Sequence, residues 1–167
     1  MTAADVYRIG VLTLSDKGAQ GQRVDESGPV VREVLAAVGQ VTHAAILSDD
    51  IKAIAEILVA WSDRERLSLI VTTGGTGLTP RDVTPQATLQ VIDYEIPGMA
   101  EVMRMQSLRK TPHAMLSRAV VGVRRQTMIV NLPGSPKAAR ENLAAILPAL
   151  PHALAKLAGD PSDCAQH

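Results

Sequence analysis

The chain has no phenylalanine, one tryptophan and two tyrosines among its 167 residues. Aromatic platforms on which nucleic-acid bases could stack are therefore not expected. An excess of charge of one sign is missing too, since 17 basic residues stand against 17 acidic ones. A nucleic-acid surface carries a basic excess, so no nucleic-acid partner is expected, while a local basic pocket for a small anion stays open. The single cysteine, Cys164, lies in a polar C-terminal stretch, which excludes a disulfide framework and a cysteine metal site. No apolar run reaches the ~20 residues of a membrane span. The opening "MTAADVYRIGVLTLSD" has an early acid and an apolar run broken by Thr13, unlike a secretory leader. A cytoplasmic protein without membrane contact is the expectation.

What is present is an alternation of two periods. "RIGVLTLS" (8–15), "VTHAAIL" (41–47), "LSLIVTT" (67–73), "AVVGV" (119–123) and "TMIVNL" (127–132) are short, apolar strand candidates. Between them, "PVVREVLAAVG" puts Val30, Val31, Val34, Leu35 and Val38 on one helical face, and Ile51, Ile54, Ile57, Leu58 and Trp61 form another such stripe. Ser48 or Asp49 would cap the second helix, and Thr84–Pro85 and Ser135–Pro136 form cap and first-turn pairs for two more, "TPQATLQVIDYE" and "PKAARENLAAIL". "PGMAEVMRMQSLR" reads as another helix, and Pro148 and Pro151 should break or kink the last one. The links read as too long for hairpins, which argues for an α/β domain with a mainly parallel sheet between helical layers. One domain over 1–158 and a loose tail over 159–167 are expected.

Ligands of such sheets bind beyond the carboxyl ends of the strands. Four polar clusters fall there: Ser15–Asp16, Ser48–Asp50, "TTGGTGLTPRD" (72–82) and "NLPGSPK" (131–137). Gly74, Gly75 and Gly77 let a backbone N–H nest approach an anion, with the hydroxyls of Thr73 and Thr76 close by. The alternative is a tight turn in which the threonines only cap. The loop is neither a Walker A motif nor G-x-G-x-x-G. "NLPGSPK", with Gly134, Ser135 and Lys137, is a second candidate anion site or mere helix-entry punctuation. Asp49 and Asp82 are unfavourable beside a phosphate unless a cation lies between, which is how Mg²⁺ is commonly held. Otherwise Asp49 is a helix cap and Asp82 a turn former or the partner of Arg81. His43, His113, His152 and His167 show no ligand spacing, His43 reads as a packed or edge residue, and "RRQ" (124–126) reads as a solvated turn.

"TTGGTG", "PRDVTPQAT", "IPGMAEVMR", "LSRAVVGVR" and "NLPGSPK" together resemble the molybdopterin adenylyltransferases, the bacterial MogA type and the G domain of gephyrin, over about residues 8–157. The resemblance implies a three-layer α/β/α sandwich, commonly a homotrimer, that uses Mg²⁺ and ATP to adenylylate molybdopterin and release pyrophosphate. It matches Asp49 and Asp82 to the family's two functional aspartates, in catalysis and at the metal. It gives Gly74, Gly75 and Gly77 to the nucleotide phosphates. It places Ser117, Asn131, Ser135 and Lys137 on the pterin side, with Ser15 lining the pocket. Hand-over of product to a molybdenum-insertion protein is implied as well. The related MoaB type shares the glycine loop but typically lacks R-D-V-T-P, which is intact here. A carrier that binds pterin or nucleotide without chemistry is the alternative reading.

Overall fold

The computed structural model describes residues 7–161 and builds them around one six-stranded sheet. Strands β1 (Arg8–Leu14), β2 (Gln40–Leu47), β3 (Leu69–Thr73) and β6 (Thr127–Leu132) run parallel. Antiparallel pairing then adds β5 (Val121–Arg124) and β4 (Tyr94–Glu95), in the order β2-β1-β3-β6-β5-β4.

Side chains alternate across a strand, so each central strand feeds two cores. Leu69 and Val71 of β3 join Ile9 and Val11 of β1 on one face, while Ile70 joins Leu12 and Leu14 on the other. The first face is covered by α2 (Ser27–Leu35), α5 (Pro97–Leu108), α6 (Pro136–Ile146) and α7 (Leu150–Leu157), which contribute Val31, Met103, Leu143 and Leu154. The second is covered by α3 (Ile51–Val59) and α4 (Thr84–Leu89), through Ile54, Leu58 and Ala87. Burial of a side chain such as Leu58 contributes about 1.5–3 kcal/mol, and coverage on both sides explains why every residue of β3 is buried. The α/β/α sandwich expected from the sequence is the one found.

Local departures have local causes. Asp50, not Ser48 or Asp49, caps α3, its carboxylate accepting from the Ala53 N–H at 2.8 Å. Val83 stands at the cap of α4, because the Thr84 hydroxyl donates instead to the Gly74 carbonyl at 2.9 Å. The helix expected over 84–95 ends at Leu89, and Tyr94–Glu95 pairs with β5. Strands β5 and β6 do form a hairpin, which Arg125 permits by adopting φ 54°. Arg124 is not part of a solvated turn, since its guanidinium donates to both Asp63 oxygens at 3.0 and 2.6 Å and to the Val91 carbonyl. The Ser135–Pro136 start of α6 and the break at Pro148, a 3₁₀ turn over Leu147–Ala149, are as expected. His43 lies on edge strand β2, its ring edge-on to Trp61 at 5.7 Å. Residues 162–167 of the expected tail, with Cys164 and His167, lie outside the described residues.

The chain passes from β1 outward to β2 and then back to β3 on the other side of β1. That reversal opens a crevice between the ends of β1 and β3, where α/β sheets hold their ligands.

Candidate functional site

Loops leaving four parallel strands meet at that crevice. Ser15 and Asp16 follow β1, Asp49 follows β2, Gly74 and Gly75 follow β3, and Gly134 and Ser135 follow β6. They enclose a cavity of about 460 Å³, to which Thr73 and Asp82 also contribute. The close approach depends on Gly74, because a Cβ there would sit 2.3 Å from the Leu14 carbonyl oxygen, and its φ of 103° disfavours any L side chain.

Each carboxylate in the cavity has a different setting. Asp16 forms a two-pronged pair with Arg81, which donates through Nε at 2.8 Å and Nη2 at 2.7 Å. The guanidinium hydrogen bond holds the Asp16 carboxyl below its ordinary range. Asp16 also accepts from the Asp49 N–H at 3.0 Å, so β1 and β2 are tied at their ends. Asp82 does not pair with its neighbour Arg81. Its Oδ2 accepts from the Thr79 N–H at 2.8 Å and the Thr79 hydroxyl at 2.7 Å, closing a turn. Asp25 accepts from the Thr13 hydroxyl at 2.8 Å and the Gly28 N–H at 2.9 Å, steadying the entry to α2.

Asp49 differs from these. Its Oδ1 is buried and has no hydrogen-bond partner. Burial first, and then the nearby charge of Asp16, push its carboxyl above the ordinary value, with only partial relief from the Asp16 backbone and Arg81. A buried polar atom without a partner costs about 1–3 kcal/mol, so such an oxygen needs a reason to persist. A hard cation supplies one. The cavity lining contains Asp16, Asp25, Glu26, Asp49 and Asp82 against Lys17 and Arg23. An anion would enter that acidic setting with difficulty unless a cation came with it. Among the described residues no group of three or more His, Cys, Asp or Glu side chains could hold a metal alone. The donor set thus suits a metal shared with phosphate oxygens.

The expected site residues divide in an ordered way. Ser15, Asp49, Thr73, Gly74, Gly75, Asp82, Gly134 and Ser135 line the acidic cavity. Thr76, Gly77 and Ser117 line a second cavity, also about 460 Å³, on the far side of the glycine loop. Leu78, Ala114, Leu116 and Pro133 give that cavity a more apolar wall, with Arg104 and His113 at its edge. Lys137 is exposed and lines neither cavity, because α6 turns it away.

Asn131 is a correction. It is fully buried in β6, donating to the Thr72 and Thr88 hydroxyls at 3.0 Å each and accepting from the Val120 N–H at 3.2 Å. It knits the sheet and lines neither of the two cavities. Ser15 lines the cavity while its hydroxyl caps the single-turn helix α1 (Asp16–Ala19), accepting from the Gly18 N–H.

Sequence reasoning missed Asp25 and Arg118. Asp25 leaves a faint signal, an acid three residues before a glycine that enters a helix. Arg118 stands in the "LSRAVVGVR" segment, but no spacing points to its partners, because Gly77 and Asp82 are 41 and 36 positions away.

Comparison with known proteins places the fold in a family. Gephyrin of Dictyostelium discoideum is 41% identical over 164 residues, which is 92% of this chain but 23% of that protein. The chain therefore spans about a quarter of that relative's length. Molybdopterin adenylyltransferase of Helicobacter pylori strain J99 is 41% identical over 155 residues, covering 91% of this chain and 88% of that one. A crystal structure of the molybdopterin biosynthesis enzyme MoaB from Thermus thermophilus superposes with a TM-score of 0.87 at 53% identity, covering 94% of this chain and 99% of that one. Residues 10–152 match the family model described as "Probable molybdopterin binding domain", and the chain belongs to that family.

Proposed function

We propose that the protein is a molybdopterin adenylyltransferase of molybdenum cofactor biosynthesis, with ATP and molybdopterin as substrates and Mg²⁺ as the metal. The observation that carries this reading is the buried, unpartnered Asp49 oxygen beside Asp82 in an acid-lined cavity at the sheet's crevice. The adenylyltransferase name of relatives aligned over most of their length supports it.

In this reading the acidic cavity takes the triphosphate and the more apolar one takes the pterin, with the glycine loop as the wall between them. Gly75 would present backbone to the phosphates, whereas the Gly74 N–H is already donated to the Leu132 carbonyl at 3.0 Å and Gly74 serves the close packing of the loop on Leu14. Asp49 and Asp82 would hold the metal, which when bound neutralises the charge of the phosphates. An oxygen of the terminal phosphate of molybdopterin attacks the α-phosphorus of ATP. A new P–O bond forms, the bond to the β-phosphate oxygen breaks, and pyrophosphate leaves with the electron pair. The chain's own residues supply in-line positioning and charge balance, which is most of what such transfers require. Lys17 and Arg23, the basic residues of the cavity lining, would offset the charge of the departing pyrophosphate. Assembly as a homotrimer in the cytoplasm, with delivery of the product to a molybdenum-insertion protein, belongs to the same proposal.

The name MoaB on a 53% identical structure keeps a carrier reading in view. A turnover assay separates the two, with purified protein, molybdopterin, ATP and Mg²⁺, following pyrophosphate and adenylylated pterin. Wild type is expected to form product, and Asp82→Ala and Asp82→Asn to lose it at least a hundredfold while remaining folded. Asn keeps an oxygen for the Thr79 turn, so its failure would isolate the charge. Substantial activity in Asp82→Asn would remove Asp82 from the chemistry. Folded wild type that binds pterin without making product would establish the carrier.

A further inference from the structure

We propose that Arg118 is the positioning residue for Asp82, a two-pronged clamp that fixes the loop between Gly77 and Asp82 at the wall separating the two cavities. Its Nε donates to the Gly77 carbonyl at 2.7 Å and its Nη2 to the Asp82 carbonyl at 2.5 Å. Its backbone N–H donates to the Thr76 carbonyl at 3.0 Å. One residue thereby holds both ends of the loop and the residue leading into it.

The interior of the loop is closed by Asp82 itself. Its carboxylate accepts twice from Thr79, and its own N–H donates to the Thr79 carbonyl at 2.9 Å. The outside is closed by the guanidinium, which bridges the Gly77 and Asp82 carbonyls. Arg118 is half-buried, and its side-chain hydrogen bonds go to carbonyls. Placing a cation there costs desolvation that a neutral contact would avoid. The geometry needs the fork, because Gly77 and Asp82 offer their oxygens side by side, and an ammonium group is a single point.

The anchor of the clamp is also fixed. The next residue, Ala119, has its carbonyl held by Arg104 Nη1 at 3.0 Å, and the Val120 N–H is held by Asn131. The clamp therefore refers the position of Asp82 to β6 and to the segment leading into β5. Ser117, on the second cavity, precedes Arg118 directly. A substrate that shifts this segment on one side would move the carboxylate on the other.

The catalytic part of this inference rests on the adenylyltransferase reading, whereas the clamp itself does not. The test uses Arg118→Lys and Arg118→Ala in the full chain. Arg118→Lys should lower kcat at least tenfold, change the KM for ATP less than threefold, and raise the Mg²⁺ concentration for half-maximal rate severalfold. Ethylguanidinium at millimolar concentration should restore part of the rate of Arg118→Ala, and ethylammonium should not. Amide hydrogen exchange supplies a readout independent of turnover. The Thr79 and Asp82 amides should exchange at least tenfold faster in Arg118→Lys, with β1, β3 and β6 unchanged. A kcat within twofold of wild type in Arg118→Lys, or guanidinium rescue no better than ammonium, overturns the positioning role. Unchanged exchange at Thr79 and Asp82 overturns the clamp. Wild type without turnover but with the exchange difference would retire the adenylyltransferase reading and leave the clamp standing.

Discussion

The Oδ1 atom of Asp49 lies where a methyl group on Gly75 would come within 3.0 Å of it, and the same methyl would meet the Thr84 hydroxyl at 2.3 Å. The glycine loop and the orphaned carboxylate are thus one steric unit. Gly75 also has φ 66°, a left-handed conformation that costs an L residue about 1–2 kcal/mol. Gly75→Ala should therefore lower stability by at least that amount and displace Asp49, removing most activity. Gly98→Ala is the control, since open space surrounds its would-be Cβ and it sits in α5. Thermal melts should show Gly98→Ala unchanged or slightly stabilised, consistent with alanine's better helix propensity.

Asp49 has a signed pH dependence. Its carboxyl is raised above the usual 3.8, so the folded state holds the proton more tightly than the unfolded one. Its contribution is most favourable below the usual value and turns into a cost as pH rises through the raised one. Without divalent cation, Asp49→Asn should be more stable than wild type at about pH 7, and the gain should vanish toward about pH 4. Mg²⁺ with nucleotide should raise the melting temperature of wild type and not of Asp49→Asn. A loss of stability in Asp49→Asn at neutral pH would show that the carboxylate is satisfied in the folded protein.

The layers of the fold were legible because parallel strands covered on both faces read as near-continuous apolar runs, as "LIV" (69–71) does at the centre of "LSLIVTT". The meeting of Asp49 with the glycine loop was legible because strand ends of such a sheet share one edge. Asn131 was misread because a polar residue near a strand end looks the same whether it faces solvent or a neighbouring strand. Only the pairing of β6 with β3 puts it opposite Thr72. Arg124 was misread for a similar reason, since Asp63 is 61 positions away. Long-range polar pairs leave no period in a sequence, whereas apolar faces do.

Asn131 gives the third prediction, and it separates structure from binding. Asn131→Ala would leave the Val120 N–H and the Thr72 and Thr88 hydroxyls short of a buried partner. A network of this kind should cost about 2–4 kcal/mol when its hub is removed. Urea unfolding should show that loss, while pterin affinity per folded molecule stays within about threefold of wild type. Normal stability with weakened pterin binding would return Asn131 to the ligand site.

Asp63 and Arg124 give a prediction of the opposite sign to Asp49. Their side chains are 18% and 21% exposed, and the guanidinium hydrogen bond lowers the Asp63 carboxyl below its usual value. A depressed carboxylate contributes stability above the unfolded value and loses it as pH falls through the folded one. Asp63→Asn should thus destabilise the protein by about 1.5–3 kcal/mol at neutral pH, the range for hydrogen bonds to charged groups. The difference from wild type should shrink only below about pH 4. Melts of Asp63→Asn and Asp49→Asn across one pH series would therefore bracket wild type at neutral pH, one below and one above. Both differences should fall away in acid, as both carboxylates protonate. If both variants moved the same way at neutral pH, charge burial at Asp49 would not be what sets it apart, and the argument that a cation belongs there would lose its physical footing.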